Sequence, residues 1–254
     1  MSTVRSKDGT AIAFDRLGQG APVILVDGAL CSRAFGPLPA LARLLAARFT
    51  VFHYDRRGRN QSGDQPAYAV EREVEDIEAL IAEAGGSASV FGVSSGAALA
   101  LAAAAQGAGI TKLALYEPPF IADGARRVPA DSEAQLKRRI AAGRRSDAVQ
   151  FFLVDMVGLP AAVGYLMRVL PVWRKLKAVA HTLPYDAAVL GDFSLPRERA
   201  AAVAVPTLVI GGEKSSAELR AAVSATAEAV PGARLRMLKG QTHNVSAKVL
   251  APVV

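Results

Sequence analysis

Residues 91–96 read Phe-Gly-Val-Ser-Ser-Gly and lie between a short apolar run and an Ala- and Leu-rich run. The apolar run at 88–91 is typical of a buried strand, and the run at 97–105 is typical of a helix. A chain that turns sharply from strand to helix at Ser94 must strain this residue and bring the two elements close together. The glycines two positions before and after it leave the necessary room. The segment therefore predicts that the serine hydroxyl projects from the edge of the sheet, beside the unpaired N–H groups of the first helical turn.

Short apolar runs and stretches of helical periodicity alternate along most of the chain. The further strand candidates are residues 22–26, 50–54, 112–116, 206–212 and 234–238. Residues 2–17 are expected to form two opening strands joined at Asp8-Gly9, which is a good hairpin turn. The alternation predicts right-handed crossovers and an α/β fold: a mostly parallel, twisted sheet of eight strands with helices on both faces.

The alternation lapses over residues 121–199, where no convincing strand is found. Helical periodicity recurs there at 132–142, 147–157, 161–170 and 172–183. We interpret this stretch as a helical cap inserted into an α/β core formed by residues 1–120 and 200–254. Apolar cap side chains such as Phe152 and Trp173 are expected to roof an apolar pocket, although helix packing alone would require the same residues.

The composition is that of an ordinary globular protein, with 51% hydrophobic and 21% charged residues among 254. No apolar run approaches the roughly 20 residues that span a bilayer, and the N-terminus lacks the apolar core of a signal peptide. We therefore expect a cytoplasmic location and no membrane partner. The single Cys31 excludes an internal disulfide and a Cys-rich metal site.

The formal net charge is +7, and many of the basic residues lie in the predicted cap. They are Arg126, Arg127, Lys137, Arg138, Arg139, Arg144, Arg145, Arg168, Arg174, Lys175 and Lys177. Nucleic-acid binding would require such residues on one face with aromatic side chains among them. A rim that attracts anionic substrates is a second interpretation, and a solvated helical surface is the favoured one. We expect no nucleic-acid partner, and the sequence leaves a homodimer open.

A serine hydroxyl needs a base within hydrogen-bond reach before it acts as a nucleophile at neutral pH. The chain has three histidines. His243 follows the last predicted strand and is the candidate base. His53 lies inside a predicted strand and is expected to pack in the core. His181 lies on a predicted cap helix, where it either contacts substrate or faces solvent.

The order of the elements and the turn at Ser94 resemble the α/β-hydrolase superfamily over essentially the whole chain. Residues 54–63, Tyr-Asp-Arg-Arg-Gly-Arg-Asn-Gln-Ser-Gly, are similar to the D-x-R-G-x-G-x-S turn of cap-bearing members, with Asn60 in place of a usual glycine. We expect Asp55 and Arg57 of this turn to bond buried backbone groups. The resemblance implies a serine hydrolase of the G-x-S-x-G type, a cap after the sixth strand, and the triad order serine, acid, histidine.

The resemblance places the triad acid a few residues past the seventh strand, where this chain has Ser215. A hydroxyl cannot stabilise an imidazolium as a carboxylate does. Glu117, at the end of the sixth predicted strand, preserves the triad order, and the two prolines after it would make its loop rigid. Glu213 lies two positions before Ser215. We favour Glu117 over Glu213, and the absence of any carboxylate partner stays open.

The oxyanion hole implied by the resemblance uses the N–H of Ser95 and one from the loop after the third strand, here Ala29. Superfamily members often have His-Gly where this chain has Asp27-Gly28. A carboxylate there would oppose an oxyanion unless it were turned away or neutralised, and it alternatively organises the loop by bonding backbone N–H groups. The residues predicted to line the substrate pocket are Asp27, Gly28, Leu30, Phe152 and Trp173.

These features predict a serine hydrolase that cleaves an ester or related acyl compound with a small hydrophobic substrate. Ser94 would attack the carbonyl, His243 would act as the base, and an acyl-enzyme would form. No metal or organic cofactor is expected. The alternatives are a small-molecule-binding protein without catalysis on the same fold, and a lyase or C–C hydrolase that uses the same site.

Overall fold

The computed structural model describes residues 2–121 and 128–254. Its strands are β1 (Ser2–Arg5), β2 (Ala11–Leu17), β3 (Ala21–Val26), β4 (Phe49–Tyr54), β5 (Ala88–Val93), β6 (Ile110–Tyr116), β7 (Thr207–Gly212) and β8 (Arg234–Leu238). They form one sheet in the order β1-β2-β4-β3-β5-β6-β7-β8. β2 runs antiparallel to both β1 and β4, and the remaining neighbours are parallel. The predicted eight-stranded, mostly parallel sheet and its opening hairpin are confirmed.

Helices connect the strands and cover the sheet. They are α1 (Leu38–Leu45), α2 (Val70–Glu83), α3 (Ser95–Ala105), α4 (Ser132–Ala141), α5 (Arg145–Phe151), α6 (Ala161–Met167), α7 (Val172–Ala178), α8 (Leu183–Leu190), α9 (Arg197–Ala201), α10 (Ala217–Ala229) and α11 (Ala247–Leu250). Among the described residues, none of these helices is long and apolar enough to cross a membrane.

Each buried strand contributes side chains to both faces of the sheet, because successive side chains of a strand point in opposite directions. In β3, Ile24 belongs to the apolar core that α2 and α3 cover, and Leu25 belongs to the core that α1 and α11 cover. Val90 and Phe91 of β5 divide in the same way. Burial on both faces explains why these strands read as continuous apolar runs rather than as alternating ones.

The described residues between β6 and β7 fold into α4 to α9, as the helical periodicity predicts. The separation of this stretch as a cap over residues 121–199 stays a prediction, and Arg126 and Arg127 lie outside the described residues. A π-helical turn, Phe152–Met156, follows α5. The single helix predicted over 172–183 is wrong, because α7 ends at Ala178 and a 3₁₀ turn leads into α8. Pro184 lies in the first turn of α8, where a proline is tolerated.

Candidate active site

Ser94 joins β5 to α3 in a strained backbone conformation, with φ 56° and ψ −126°. A side-chain carbon at Gly92 would collide with the backbone of Gly96 and Ala97, and one at Gly96 would collide with the carbonyl oxygen of Val26. The two glycines therefore permit the close packing that the turn requires. The serine is half-buried at the carboxyl end of β5, which is the edge where ligands bind in open parallel sheets.

Glu117 and His243 lie together at the same edge of the sheet. Glu117 Oε2 lies 2.7 Å from His243 Nδ1. The carboxylate is fully buried, whereas the side chain of His243 is 44% exposed. A buried acid that bonds Nδ1 fixes the orientation of the ring and leaves Nε2 available for other contacts.

The loop that carries His243 crosses the end of β7 to reach Glu117, since β7 lies between β6 and β8 in the sheet. A side-chain carbon at Gly212, the last residue of β7, would collide with the backbone at Gln241. Glycine at this position therefore lets the loop pass. Lys214 N–H donates to the Gln241 carbonyl at 2.8 Å, and the Tyr116 hydroxyl donates to the Thr242 carbonyl at 2.6 Å. Both bonds hold the loop just before His243.

Ser215, which lies where the resemblance places the acid, donates its hydroxyl to Glu117 Oε1 at 2.5 Å. The Gly212 N–H donates to the same oxygen at 2.7 Å. Burial raises the pKa of Glu117, but the hydrogen bonds from His243, Ser215 and Gly212 lower this pKa by more, so it lies below its ordinary value. Glu117 is therefore held as a carboxylate. Glu213, the other candidate, is exposed.

The loop after β3 approaches the serine closely. A side-chain carbon at Gly28 would lie 3.0 Å from Ser94 Cβ. Ala29 is half-buried, and Leu30 has a positive φ of 61°, which is uncommon for a branched apolar residue. The N–H of Ser95 belongs to the first turn of α3, where backbone donors lack helical partners. The two predicted oxyanion donors thus belong to two segments that lie next to Ser94.

Asp27, in the loop after β3, pairs with a histidine of β4. Its Oδ2 lies 2.7 Å from His53 Nε2, and both side chains are buried. The carboxylate therefore pairs with a core histidine rather than with the loop backbone. This placement fits the expectation that His53 packs in the core. His181 instead lies 2.7 Å through Nε2 from the Gly58 carbonyl.

A cavity of about 380 Å³ lies at this edge of the sheet. Ser94, His243, Gly28 and Ala29 line it. Its walls are mostly apolar and include Leu30, Phe120, Phe152, Leu190, Phe193 and Leu219. Cys31 also lines it, and burial, followed by the charge of Asp27, raises the pKa of its thiol to about 12. The thiol therefore stays protonated and does not compete as a nucleophile.

Two of the five residues predicted for the substrate pocket lie elsewhere. Asp27 is turned toward His53, and Trp173 packs in the core with its Nε1 donating to the Ser146 hydroxyl at 2.9 Å. Trp173 does not line this cavity, and its apolar pattern in the sequence serves helix packing. A larger concavity of about 980 Å³ lies at the amino ends of the parallel strands, and neither Ser94 nor His243 lines it.

Comparison with known proteins identifies the fold family. Residues 20–249 match the model of the alpha/beta hydrolase family. The chain belongs to this family. No curated protein sequence matches it.

Solved structures place this alpha/beta hydrolase among enzymes of the same fold. An alpha/beta hydrolase from Sphaerobacter thermophilus is 50% identical, with 99% of this chain and 98% of that chain covered and a TM-score of 0.93. An esterase from Thermogutta terrifontis is 21% identical over 95% of this chain and 90% of that chain, with a TM-score of 0.70. An enol-lactonase from Burkholderia xenovorans is 21% identical over 93% and 91%, with a TM-score of 0.69.

The turn at residues 54–63 makes more hydrogen bonds to distant segments of this alpha/beta hydrolase than its sequence indicates. Arg57 donates to the Arg72 carbonyl at 2.8 Å, and Asp55 accepts the Arg33 N–H at 3.0 Å, as expected for groups that bond buried backbone. Asn60 has a φ of 43°, which asparagine tolerates better than most residues do.

The sequence analysis assigned no role to the two other arginines of the turn, Arg56 and Arg59. Both are fully buried, and both donate hydrogen bonds to carbonyls of the loop after β3.

Proposed function

We propose that this alpha/beta hydrolase is a serine hydrolase that cleaves an ester or a related acyl compound through an acyl-enzyme. Ser94 is the nucleophile, His243 is the general base and acid, and Glu117 orients and stabilises the imidazole. The N–H groups of Ser95 and Ala29 bind the oxyanion. The observation that carries the proposal is the 2.7 Å contact between Glu117 and His243 in a loop that lines the same cavity as Ser94.

The proposed reaction moves one proton through His243 and places negative charge on the substrate carbonyl oxygen. His243 accepts the proton of Ser94 as the serine oxygen bonds to the substrate carbonyl carbon, and the resulting imidazolium is stabilised by the Glu117 carboxylate. The carbonyl oxygen becomes an oxyanion beside the two N–H donors. When the intermediate collapses, the leaving group takes the proton from His243. Water then attacks the acyl group by the same path and regenerates the hydroxyl of Ser94.

The cavity favours a small hydrophobic acyl substrate. A volume of about 380 Å³ lies near the lower end of the range for small-molecule sites, and most of the lining side chains are apolar. The esterase and the enol-lactonase that share the fold act on acyl–oxygen bonds, which supports the same reaction class here.

The test is covalent labelling followed by turnover. The wild-type protein is treated with a fluorophosphonate, and intact-mass and peptide analysis should locate one adduct on Ser94. Short-chain p-nitrophenyl esters should be hydrolysed by the wild type and not measurably by Ser94→Ala, with thermal unfolding confirming that both are folded. Absence of both labelling and turnover would contradict the proposal and would favour a binding protein on the same fold.

A further inference from the structure

The orientation of the Gly28–Ala29 peptide decides whether the loop after β3 offers a donor to the cavity. A peptide unit is planar and trans, so the C=O of Gly28 and the N–H of Ala29 point in opposite directions. Fixing the Gly28 carbonyl therefore also fixes the Ala29 N–H. The group that binds this carbonyl from the protein interior sets the direction of the proposed oxyanion donor.

That group is the guanidinium of Arg59. Its Nη1 donates to the Gly28 carbonyl at 2.6 Å and to the Cys31 carbonyl at 3.1 Å. The arginine is 1% exposed, so these bonds are shielded from water. Because the Gly28 carbonyl points at this buried cation, the Ala29 N–H points the other way, and Ala29 is one of the residues that line the cavity.

Asp186 of α8 holds Arg59 in this position. Its carboxylate accepts two bonds from Arg59 Nη2, at 3.0 and 2.8 Å. It also accepts Arg56 Nη1 at 2.7 Å and the Ser95 hydroxyl at 2.8 Å. Arg56 Nη1 in turn lies 3.3 Å from the Asp27 carbonyl. One fully buried carboxylate thus connects both segments that carry the proposed oxyanion donors.

The loop supplies one bond of its own to this conformation, from the Cys31 N–H to the Gly28 carbonyl at 3.3 Å, which is longer than the 2.6 Å bond from Arg59. Gly28 has the widest range of backbone conformations of any residue type, and Leu30 is held at a positive φ of 61°. A strained residue persists only where its surroundings over-determine it. The carbonyls of residues 27, 28 and 31 are all bound by the two arginines, so the network adds to the constraint that the turn bond supplies.

We propose that Asp186 is a positioning residue for the oxyanion hole, acting through Arg59 on the Gly28–Ala29 peptide. The inference rests on the proposed hydrolase activity and assigns part of the active-site geometry to the segment between β6 and β7. Without the carboxylate, Arg59 loses its ion partner, whereas Arg56 keeps Glu73, to which it donates at 2.7 and 2.6 Å. The Gly28 carbonyl is then held mainly by the longer Cys31 bond, and the Ala29 N–H is less firmly directed into the cavity.

The chain contains a matched control in the same turn. Arg57 donates to Asp76 through Nε at 2.9 Å and through Nη2 at 2.7 Å, and both side chains are buried. This pair connects the turn to α2, and its other bonds go to Asp8, Ser6 and Arg72 rather than to the loop after β3. Asp76→Asn therefore breaks a comparable buried pair without touching the oxyanion loop.

Asp186→Asn and Asp76→Asn are compared on a short p-nitrophenyl ester. Asp186→Asn should lower kcat by about 10- to 100-fold, somewhat less than the loss of a whole oxyanion donor, with KM changed by less than about threefold. Both variants should unfold at lower temperature than the wild type, but Asp76→Asn should keep kcat within about twofold. A trifluoromethyl ketone, which forms a tetrahedral oxyanion adduct, should lose affinity for Asp186→Asn in parallel with kcat/KM.

Equal effects of the two variants on kcat and on ketone affinity would overturn the inference while leaving the hydrolase activity in place. A wild type with no Ser94-dependent turnover would instead refute the proposed function. If Asp186→Asn fails to fold, Arg59→Lys replaces it, because a lysine ammonium cannot match the planar geometry by which Arg59 bridges the carbonyls and the carboxylate. A folded Arg59→Lys protein with unchanged kcat and ketone affinity would also overturn the inference.

Discussion

The loops after β6 and β7 lie side by side at one edge of the sheet, yet they carry different chemistry. The β6 loop supplies the buried Glu117, and the β7 loop supplies Ser215, a hydroxyl where the family resemblance predicts an acid. The hydroxyl donates to the carboxylate at 2.5 Å, so the two loops form one hydrogen-bonded unit. The acid that orients a histidine must lie at one place beside the imidazole ring. A side chain from the loop after β6 or from the loop after β7 can occupy that place.

With the carboxylate on the loop after β6, the loop that carries His243 must follow a longer path. β6 is two strands away from β8, so the loop bearing His243 must cross β7. Gly212 permits this crossing, and its N–H joins the Ser215 hydroxyl on Glu117 Oε1. The end of β7 and the loop after it therefore donate two hydrogen bonds to the proposed acid rather than supplying the acid itself.

The largest expected effect comes from removing the carboxylate of the β6 loop. Glu117→Gln should lower kcat for ester hydrolysis by about 10² to 10⁴, because the imidazolium loses its stabilising charge. Glu213→Gln, at the exposed acid of the β7 loop, is the control and should stay within about twofold of the wild type. Steady-state kinetics on purified, folded variants decide the comparison, and a larger loss in Glu213→Gln would reverse the assignment.

Moving the acid between the loops should recover part of the loss. In the Glu117→Gln background, Ser215→Asp places a carboxylate on the β7 loop, and we expect kcat to rise by about tenfold over Glu117→Gln alone. The matched control is Glu117→Gln with Ser215→Asn, which has the same shape without the charge and should show no recovery. Equal rates for the two double variants would show that the β7 position does not reach the imidazole.

A smaller effect is expected from removing the support that one loop gives the other. Ser215→Ala deletes the 2.5 Å hydrogen bond to Glu117 Oε1 while the Gly212 N–H remains. The loss of one donor to a charged group should lower kcat by about threefold to tenfold and raise the pKa of Glu117. Ser89→Ala, at the opposite edge of the sheet, should leave kcat unchanged, and similar losses in both variants would argue against the supporting role.

The smallest effect is expected in stability at low pH. The pKa of Glu117 is lower in the folded protein than its ordinary value of 4.5, so its carboxylate contributes stability above that pH. The contribution is lost as the pH falls below 4.5 through the folded-state pKa. Urea unfolding should therefore show a steeper decline in the free energy of unfolding for the wild type than for Glu117→Gln. Parallel curves would indicate that the folded-state pKa is unshifted.

The sequence predicted the fold well because the determining signals are local. Apolar runs bounded by turn residues mark the strands, and the spacing of Gly92, Ser94 and Gly96 marks the strained turn. It also ranked Glu117 above Glu213, since a position at the carboxyl end of a parallel strand already restricts where a side chain lies. The roles of these residues in catalysis stay proposals for the experiments above.

The misses concern contacts between residues far apart in the chain. Nothing near Asp186 in the sequence indicates that it lies against Arg59, 127 positions away. From the sequence, the charge of Asp27 was expected to oppose an oxyanion. Its partner, His53, lies on the neighbouring strand β4, and the sequence does not show this pairing. The break between α7 and α8 has a local signal instead, since Pro184 in the first turn of α8 favours a new helix start.

The π-helical turn at Phe152–Met156 has an evolutionary consequence. Such a turn contains about one residue more than an α-helical turn, as if a codon had been inserted into a regular helix. Phe152 and Leu153 of this turn line the cavity. Loss of one codon would restore regular winding and rotate the side chains by about 100° relative to those before them. A single-codon change in this turn would thus alter which side chains face the cavity at a point far in sequence from Ser94, Glu117 and His243.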